Sequence, residues 1–255
     1  MVSGNKPASI VALHGFLGLP SDWDSVFPED FTSEFRVEAV NLWPSTHQLY
    51  STNGFKSWCE IFLSEERAGK PVLLGYSMGG RLAMHAALRA PEKWAGAIFV
   101  SAHPGLRSFE EIQARLQNDQ IWARRFRNEP WDSVIRAWNA QAVLLPPSKE
   151  TAPEAVPLKP RVESEFSREA LALAMEFWSL GRQNDLRERL KELPIPVLYV
   201  TGELDTKFTS LIRELELPEH HRHAVVARAG HRVPWDQPLV FCELVREFCR
   251  GLTAL

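Results

Sequence analysis

Cysteine is scarce in this chain. Cys59, Cys242 and Cys249 are the only three, an odd number with no C-x-x-C pair. Cys242 and Cys249 fall seven positions apart on one expected helix, roughly 10 Å along its axis and beyond disulfide reach. Reduced thiols, and hence a cytoplasmic location, are the simplest expectation. Long apolar runs are also missing: no stretch reaches the about 18 residues of a transmembrane helix. Met1–Pro7 lacks the apolar core of a signal peptide. Neither sign of charge dominates, with 29 Lys and Arg against 32 Asp and Glu, a formal net charge of -3. Bulk attraction to nucleic acid or anionic membranes is therefore not expected. There is no P-loop and no G-x-G-x-x-G, so no nucleotide cofactor is implied. His220, His221 and His223 crowd together but lack Cys or carboxylate partners at ligand spacing. They are expected in a solvated loop, with no metal. Internal repeats and low-complexity tracts are absent as well.

What remains is a soluble globular composition, 45% hydrophobic and 24% charged over 255 residues, enough for one domain with an insertion. Strand and helix signals alternate. Expected strands are Ser9–Leu13, Phe35–Val40, Pro71–Gly75, Ala95–Val100, Ile195–Val200 and Ala224–Ala227. Helices are expected around Gly54–Glu66, Gly79–Ala90 and Leu239–Leu252. This rhythm predicts an α/β fold, a mostly parallel sheet of about six strands flanked by helices. Between the fourth and fifth strands the rhythm breaks. Residues 103–188 read as helices and carry many tryptophans and arginines, with Pro146 to Pro160 dividing them. Ligands of open parallel sheets bind at the carboxyl ends of the strands, so this segment is expected to be a helical lid. The core would then be 1–102 and 189–255.

The most informative string is Gly75-Tyr76-Ser77-Met78-Gly79, at the end of an expected strand and the start of an expected helix. That is the strand–turn–helix context of a nucleophile elbow, which exposes a serine on a strained turn. A serine hydroxyl needs an imidazole to take its proton, and the imidazole needs a carboxylate to fix its tautomer. Asp205 and His231 each follow a strand end, in that chain order after Ser77. They are the expected acid and base, with Glu203 as a competing acid. The oxyanion hole is expected from the backbone N–H groups of Met78, after the nucleophile, and Phe16, after the first strand. His14 is read as a structural histidine beneath the site.

These residues together resemble the α/β-hydrolase family over nearly the whole chain. Within it, several strings are similar to those of the 2-succinyl-6-hydroxy-2,4-cyclohexadiene-1-carboxylate synthases of menaquinone biosynthesis. They are Gly75–Arg81, His103-Pro104-Gly105-Leu106, the lid positions Arg115, Trp122, Arg125, Phe126, Trp138 and Gln141, Gly202–Phe208, and Arg228–His231. The resemblance implies a lyase that removes a ring proton from an enol-pyruvyl cyclohexene polycarboxylate and expels pyruvate, without cofactor or metal. It implies Arg81 and Arg115 as guanidinium forks for substrate carboxylates, with Tyr76 and Trp138 shaping the pocket. A further lid arginine of the family corresponds to Arg161 or Arg168. The sequence departs from the family at Asn41–His47, where many members carry an Asp-x-Pro-Gly-His-Gly-type loop, and at Asn139, where a lid tyrosine is usual. The expected partner is a small anionic substrate, handled by a monomer or weak homodimer. A carboxylesterase for small neutral esters is the alternative, and it would not need the lid arginines. A non-catalytic receptor on the same fold is a distant third.

Overall fold

A computed structural model describes residues 9–43 and 54–253. Its elements run in chain order β1 (Ser9–Leu13), α1 (Glu29–Glu34), β2 (Arg36–Val40), α2 (Phe55–Ser64), β3 (Val72–Tyr76), α3 (Met78–Arg89) and β4 (Gly96–Val100). Then follow α4 (Phe109–Asn128), α5 (Trp131–Asn139), α6 (Arg168–Phe177) and α7 (Arg187–Lys191). The chain returns to the sheet with β5 (Val197–Gly202), α8 (Thr206–Arg213), β6 (His221–Val226), α9 (Val233–Asp236) and α10 (Pro238–Thr253).

The strands form one sheet in the order β2-β1-β3-β4-β5-β6, and every pairing is parallel. This is the expected α/β-hydrolase architecture. The central strands β3, β4 and β5 are buried at every position, because helices cover both faces of a parallel sheet. Alternation along the strands splits the core in two. Leu73 and Phe99 face α2, α3 and the inserted helices; Val72, Leu74 and Tyr76 face α1 and α10. The register aligns the strand ends: Leu13 pairs with Gly75, Tyr76 with Val100, and Gly202 with Val226. The loops after β1, β3, β5 and β6 therefore leave the sheet at one edge.

The segment between β4 and β5 contains only helices and turns among the described residues. Its helices start where the chain supplies caps: Ser108 accepts from the Glu111 N–H, and Ser167 from the Ala170 N–H. In α4, Glu110 and Glu111 sit in the first turn and Arg125 and Arg127 in the last, matching the helix dipole. Trp122, Phe126 and Trp178 of this segment pack into the same cluster as Leu73 and Leu82. The insertion thus shares the core of the sheet.

The last strand corrects the reading of the histidines. β6 begins at His221, earlier than expected. His221 is buried, and its Nε2 lies 3.2 Å from the Leu193 and Ile195 carbonyls. The His223 ring meets the Thr201 hydroxyl at 2.7 Å. A strand register places these two rings, so a solvated loop is not what the structure contains. Among the described residues no helix is long and apolar enough to cross a membrane. No group of three or more His, Cys, Asp or Glu suited to a metal occurs among them either.

Candidate active site

Ser77 is the single residue between β3 and α3, at φ 52 and ψ -111. Positive φ is costly for a residue with a side chain, and the surroundings impose it. The Ser77 N–H donates to the Val100 carbonyl at 2.9 Å, and its own carbonyl accepts from the Arg81 N–H at 3.0 Å. The start of α3 lies directly on the ends of β1 and β3. A side chain on Gly79 would collide with the Leu13 and His14 carbonyls, and one on Gly75 with the Gly79 carbonyl. Glycine at these two positions permits the approach.

Asp205 is the residue just before α8, and His231 follows β6 after Arg228, which adopts φ 60. The two loops cross closely. The Leu204 N–H donates to the Ala229 carbonyl at 2.9 Å, and the Glu203 N–H to the Val226 carbonyl at 2.9 Å. A side chain on Gly202 would strike the Ala229 and Gly230 carbonyls. This crossing brings Asp205 and His231, both buried, into contact. His231 Nδ1 lies 2.7 Å from Asp205 Oδ2, and Nε2 lies 3.1 Å from Ser77 Oγ. A carboxylate on Nδ1 selects the tautomer with its proton there, leaving Nε2 to accept from the serine. Glu203 is elsewhere: its carboxylate accepts from the Arg228 N–H at 3.0 Å.

Met78 opens α3, so its N–H has no partner within the helix, and both Met78 and Phe16 line the cavity at Ser77. His14 is fully buried beneath them. Its Nε2 accepts from the Leu42 N–H at 3.0 Å, so its Nδ1 donates to the Gly15 carbonyl at 2.8 Å. Burial lowers its pKa to about 4, which keeps it neutral. Of the loop Asn41–His47, the residues Pro44, Ser45, Thr46 and His47 lie outside the described residues. Trp43 is buried, and its indole N–H donates to the Gly18 carbonyl at 2.6 Å.

The cavity above Ser77 and His231 has a volume of about 220 Å³. Trp122, Trp138 and Trp178 give it an aromatic roof, and Arg81, Arg115 and Lys207 give it positive charge. Arg81 is buried; its Nη1 donates to the Trp178 carbonyl at 2.8 Å and reaches Gln183 Oε1 at 3.4 Å. Burial and then Arg115 lower its pKa to about 9, with Asp119 acting the other way. Arg115 pairs through Nε with the buried Asp119 carboxylate at 2.8 Å. His103 reports the same field: burial and then Lys207 push its pKa down to about 3. Three cations face one nearby carboxylate, so the cavity favours an anionic ligand.

Tyr76 requires a correction. It was expected to shape this cavity, but strand alternation turns it to the opposite face of the sheet. It lies behind His231, ring centroids 5.7 Å apart, and against Trp235 at 5.0 Å. There it lines a smaller void of about 40 Å³, which shares only the Phe16, Trp138 and Leu144 walls with the main cavity. Neither late arginine reaches the Ser77 cavity. Arg161 lines the smaller void and makes two bonds of 2.8 Å to buried Asp22. Arg168 donates to the Phe126 and Glu129 carbonyls within the insertion. Trp138 and Arg115 do line the main cavity. Lys207 went unassigned in the sequence, although its place two residues after Asp205 in the first turn of α8 was the available signal.

The sequence matches the alpha/beta hydrolase family over residues 10–244. The chain belongs to the alpha/beta hydrolase family. Among curated family members, 2-succinyl-6-hydroxy-2,4-cyclohexadiene-1-carboxylate synthase of Citrobacter koseri is 34% identical over 244 residues, covering 92% of each chain. MenH from S. aureus superposes with a TM-score of 0.81 at 21% identity, covering 96% of this chain and 94% of that one. A thermophilic esterase from Thermogutta terrifontis superposes with a TM-score of 0.70 at 20% identity, covering 96% and 90%. These two likenesses speak to the fold.

Proposed function

We propose that this enzyme is a carbon–oxygen lyase of the 2-succinyl-6-hydroxy-2,4-cyclohexadiene-1-carboxylate synthase type, with Ser77, His231 and Asp205 as its catalytic triad. The observation that carries the reading is the joining of that hydrogen-bonded series to a cavity with three cations. The 34% identity to a synthase of that name over 92% of both chains supports it.

The substrate would be a cyclohexene bearing carboxylates and an enol-pyruvyl ether. Its carboxylates would pair with Arg81, Arg115 and Lys207. His231, oriented by Asp205, draws the proton from Ser77 Oγ, and the serine oxygen takes the ring proton. The C–H electron pair becomes a new ring double bond. The ring C–O bond breaks, and the electron pair leaves with the pyruvyl oxygen. Pyruvate enolate departs and takes a proton on carbon from solvent, while the proton held by the His231 imidazolium passes to solvent and restores the neutral imidazole. The Phe16 and Met78 N–H groups would hold the oxygen on which charge accumulates as the ring proton leaves. The conjugated ring diene is the second product.

The second reading is a carboxylesterase, since the same Ser77, His231 and Asp205 series also suits acyl transfer. It would use the same serine to form an acyl-enzyme. The test is a spectrophotometric assay with the enol-pyruvyl cyclohexene substrate generated in situ, with a small neutral ester in parallel. Diene formation far faster than ester cleavage supports the lyase. Brisk ester cleavage without diene supports the esterase.

A further inference from the structure

A second cavity, of about 520 Å³, opens beside Phe55 and His85. The first residues of α2, the outer half of α3, and the chain from Phe177 to Arg189 form its walls. Four cations line it: Lys56, Arg89, Arg182 and Arg189. No carboxylate lines it among the described residues. Arg89 pairs at 3.1 Å with Glu60, an exposed pair. Lys56, Arg182 and Arg189 form no ion pair among the described residues, whereas most other arginines of the insertion do. In a chain of net charge -3, four cations gathered on one concave wall raise the local concentration of anions.

The wall also offers shape. Phe177 lies in the lining with the Arg182 guanidinium 5.9 Å from its ring centroid. His85 stacks on Phe55 at 4.3 Å, and its Nε2 is buried with no hydrogen-bond partner among the described residues. Arg81, His85 and Arg89 follow one another at four-residue spacing, one face of α3. Phe55 is shared along that face, with the Arg81 guanidinium 5.5 Å and the His85 ring 4.3 Å from its ring centroid.

We infer that this cavity is a second binding site, separate from the one at Ser77, for a small molecule carrying two or more phosphate or carboxylate groups. Guanidinium groups suit either, since both present paired oxygens to the fork. A multiply charged anion gains from several of the four cations at once, where a singly charged one gains from few.

The test is isothermal titration calorimetry on the full chain with inorganic pyrophosphate and, separately, citrate. Because the Ser77 cavity is also cationic, the titrations use the variant Arg115→Gln/Lys207→Gln as background, which leaves Arg81 in place against Phe55. In that background, saturable 1:1 binding of at least one probe is expected. Adding Lys56→Gln, Arg182→Gln and Arg189→Gln should weaken it at least tenfold, while adding Ser77→Ala leaves it unchanged. Pyrophosphate bound more tightly than citrate assigns the site to phosphate groups, and the reverse assigns it to carboxylates. Absence of binding for both probes overturns the inference, and so does binding that survives the second set of substitutions. Circular dichroism of each variant establishes that a lost signal is not a lost fold.

Discussion

Arg81 reaches across from the helix after the elbow to hold the Trp178 carbonyl of the insertion at 2.8 Å. One guanidinium thus both fastens the roof of the cavity and charges its wall. Arg81→Ala removes both. A charge-assisted bond to a substrate carboxylate contributes about 1.5–3 kcal/mol. The value of kcat/KM for the anionic substrate should therefore fall about 10- to 100-fold. The neutral ester should lose far less. Equal losses on the two substrates would assign Arg81 a structural role alone.

Lys207 is exposed at the cavity wall, so on the proposed reading it would meet substrate in a more aqueous setting. Lys207→Gln should raise KM for the anionic substrate several-fold with little change in kcat. The effect should shrink as salt is added, because exposed charges are screened over about 10 Å at 0.1 M ionic strength. An unchanged KM at low salt would remove Lys207 from the substrate contacts.

Asp236 supports the histidine loop from behind, accepting from the Gly230 N–H at 2.8 Å. Burial raises its pKa to about 6 from 3.8. A raised folded-state pKa means that the native state holds the proton more tightly than the unfolded chain. The associated stability is complete below about pH 4, is lost as pH rises toward 6, and is gone above it. The shift corresponds to about 3 kcal/mol. Asp236→Asn keeps an acceptor and removes the titration. It should stabilise the protein relative to the parent at pH 8 and not at pH 3.5, as read from urea denaturation. The same offset at both pH values would contradict the assignment.

Asp22 and Arg161 join the core to the insertion through a buried, bidentate pair, with side chains 2% and 8% exposed. Removing one partner strands the other's charge, at a cost of about 3–5 kcal/mol. Arg161→Met alone should be strongly destabilising in thermal or urea unfolding. Asp22→Asn together with Arg161→Met should recover much of the loss. A double variant no more stable than the single one would show that the pair's charge is not what matters.

How much of this was legible in the sequence follows from how local each signal is. The Ser77 turn is written in five consecutive residues, and its glycines are the positions where backbone touches backbone. Asp205 and His231 could be placed because both sit in the loops just past strand ends, and parallel strands end at one edge. Tyr76 was misplaced because its neighbour Ser77 is in the cavity, while strand alternation sends the next side chain to the other face. Arg161 finds Asp22 across 139 positions, and no periodicity marks such a pair. His221 and His223 resemble a polar loop by composition; pairing with β5 makes them a strand. Lys207 carries only a weak signal in the sequence, because a lysine in the first turn of a helix is ordinarily solvated.

On the proposed mechanism, Ser77, activated by His231 and Asp205, performs the elimination. The most direct measurement is the initial rate of diene formation by Ser77→Ala, compared with the parent enzyme at saturating enol-pyruvyl substrate. The expected result is a fall in kcat of about 10³-fold or more, with an unchanged circular dichroism spectrum. A variant that keeps most of its diene-forming activity would contradict it and would move the proton abstraction to another group.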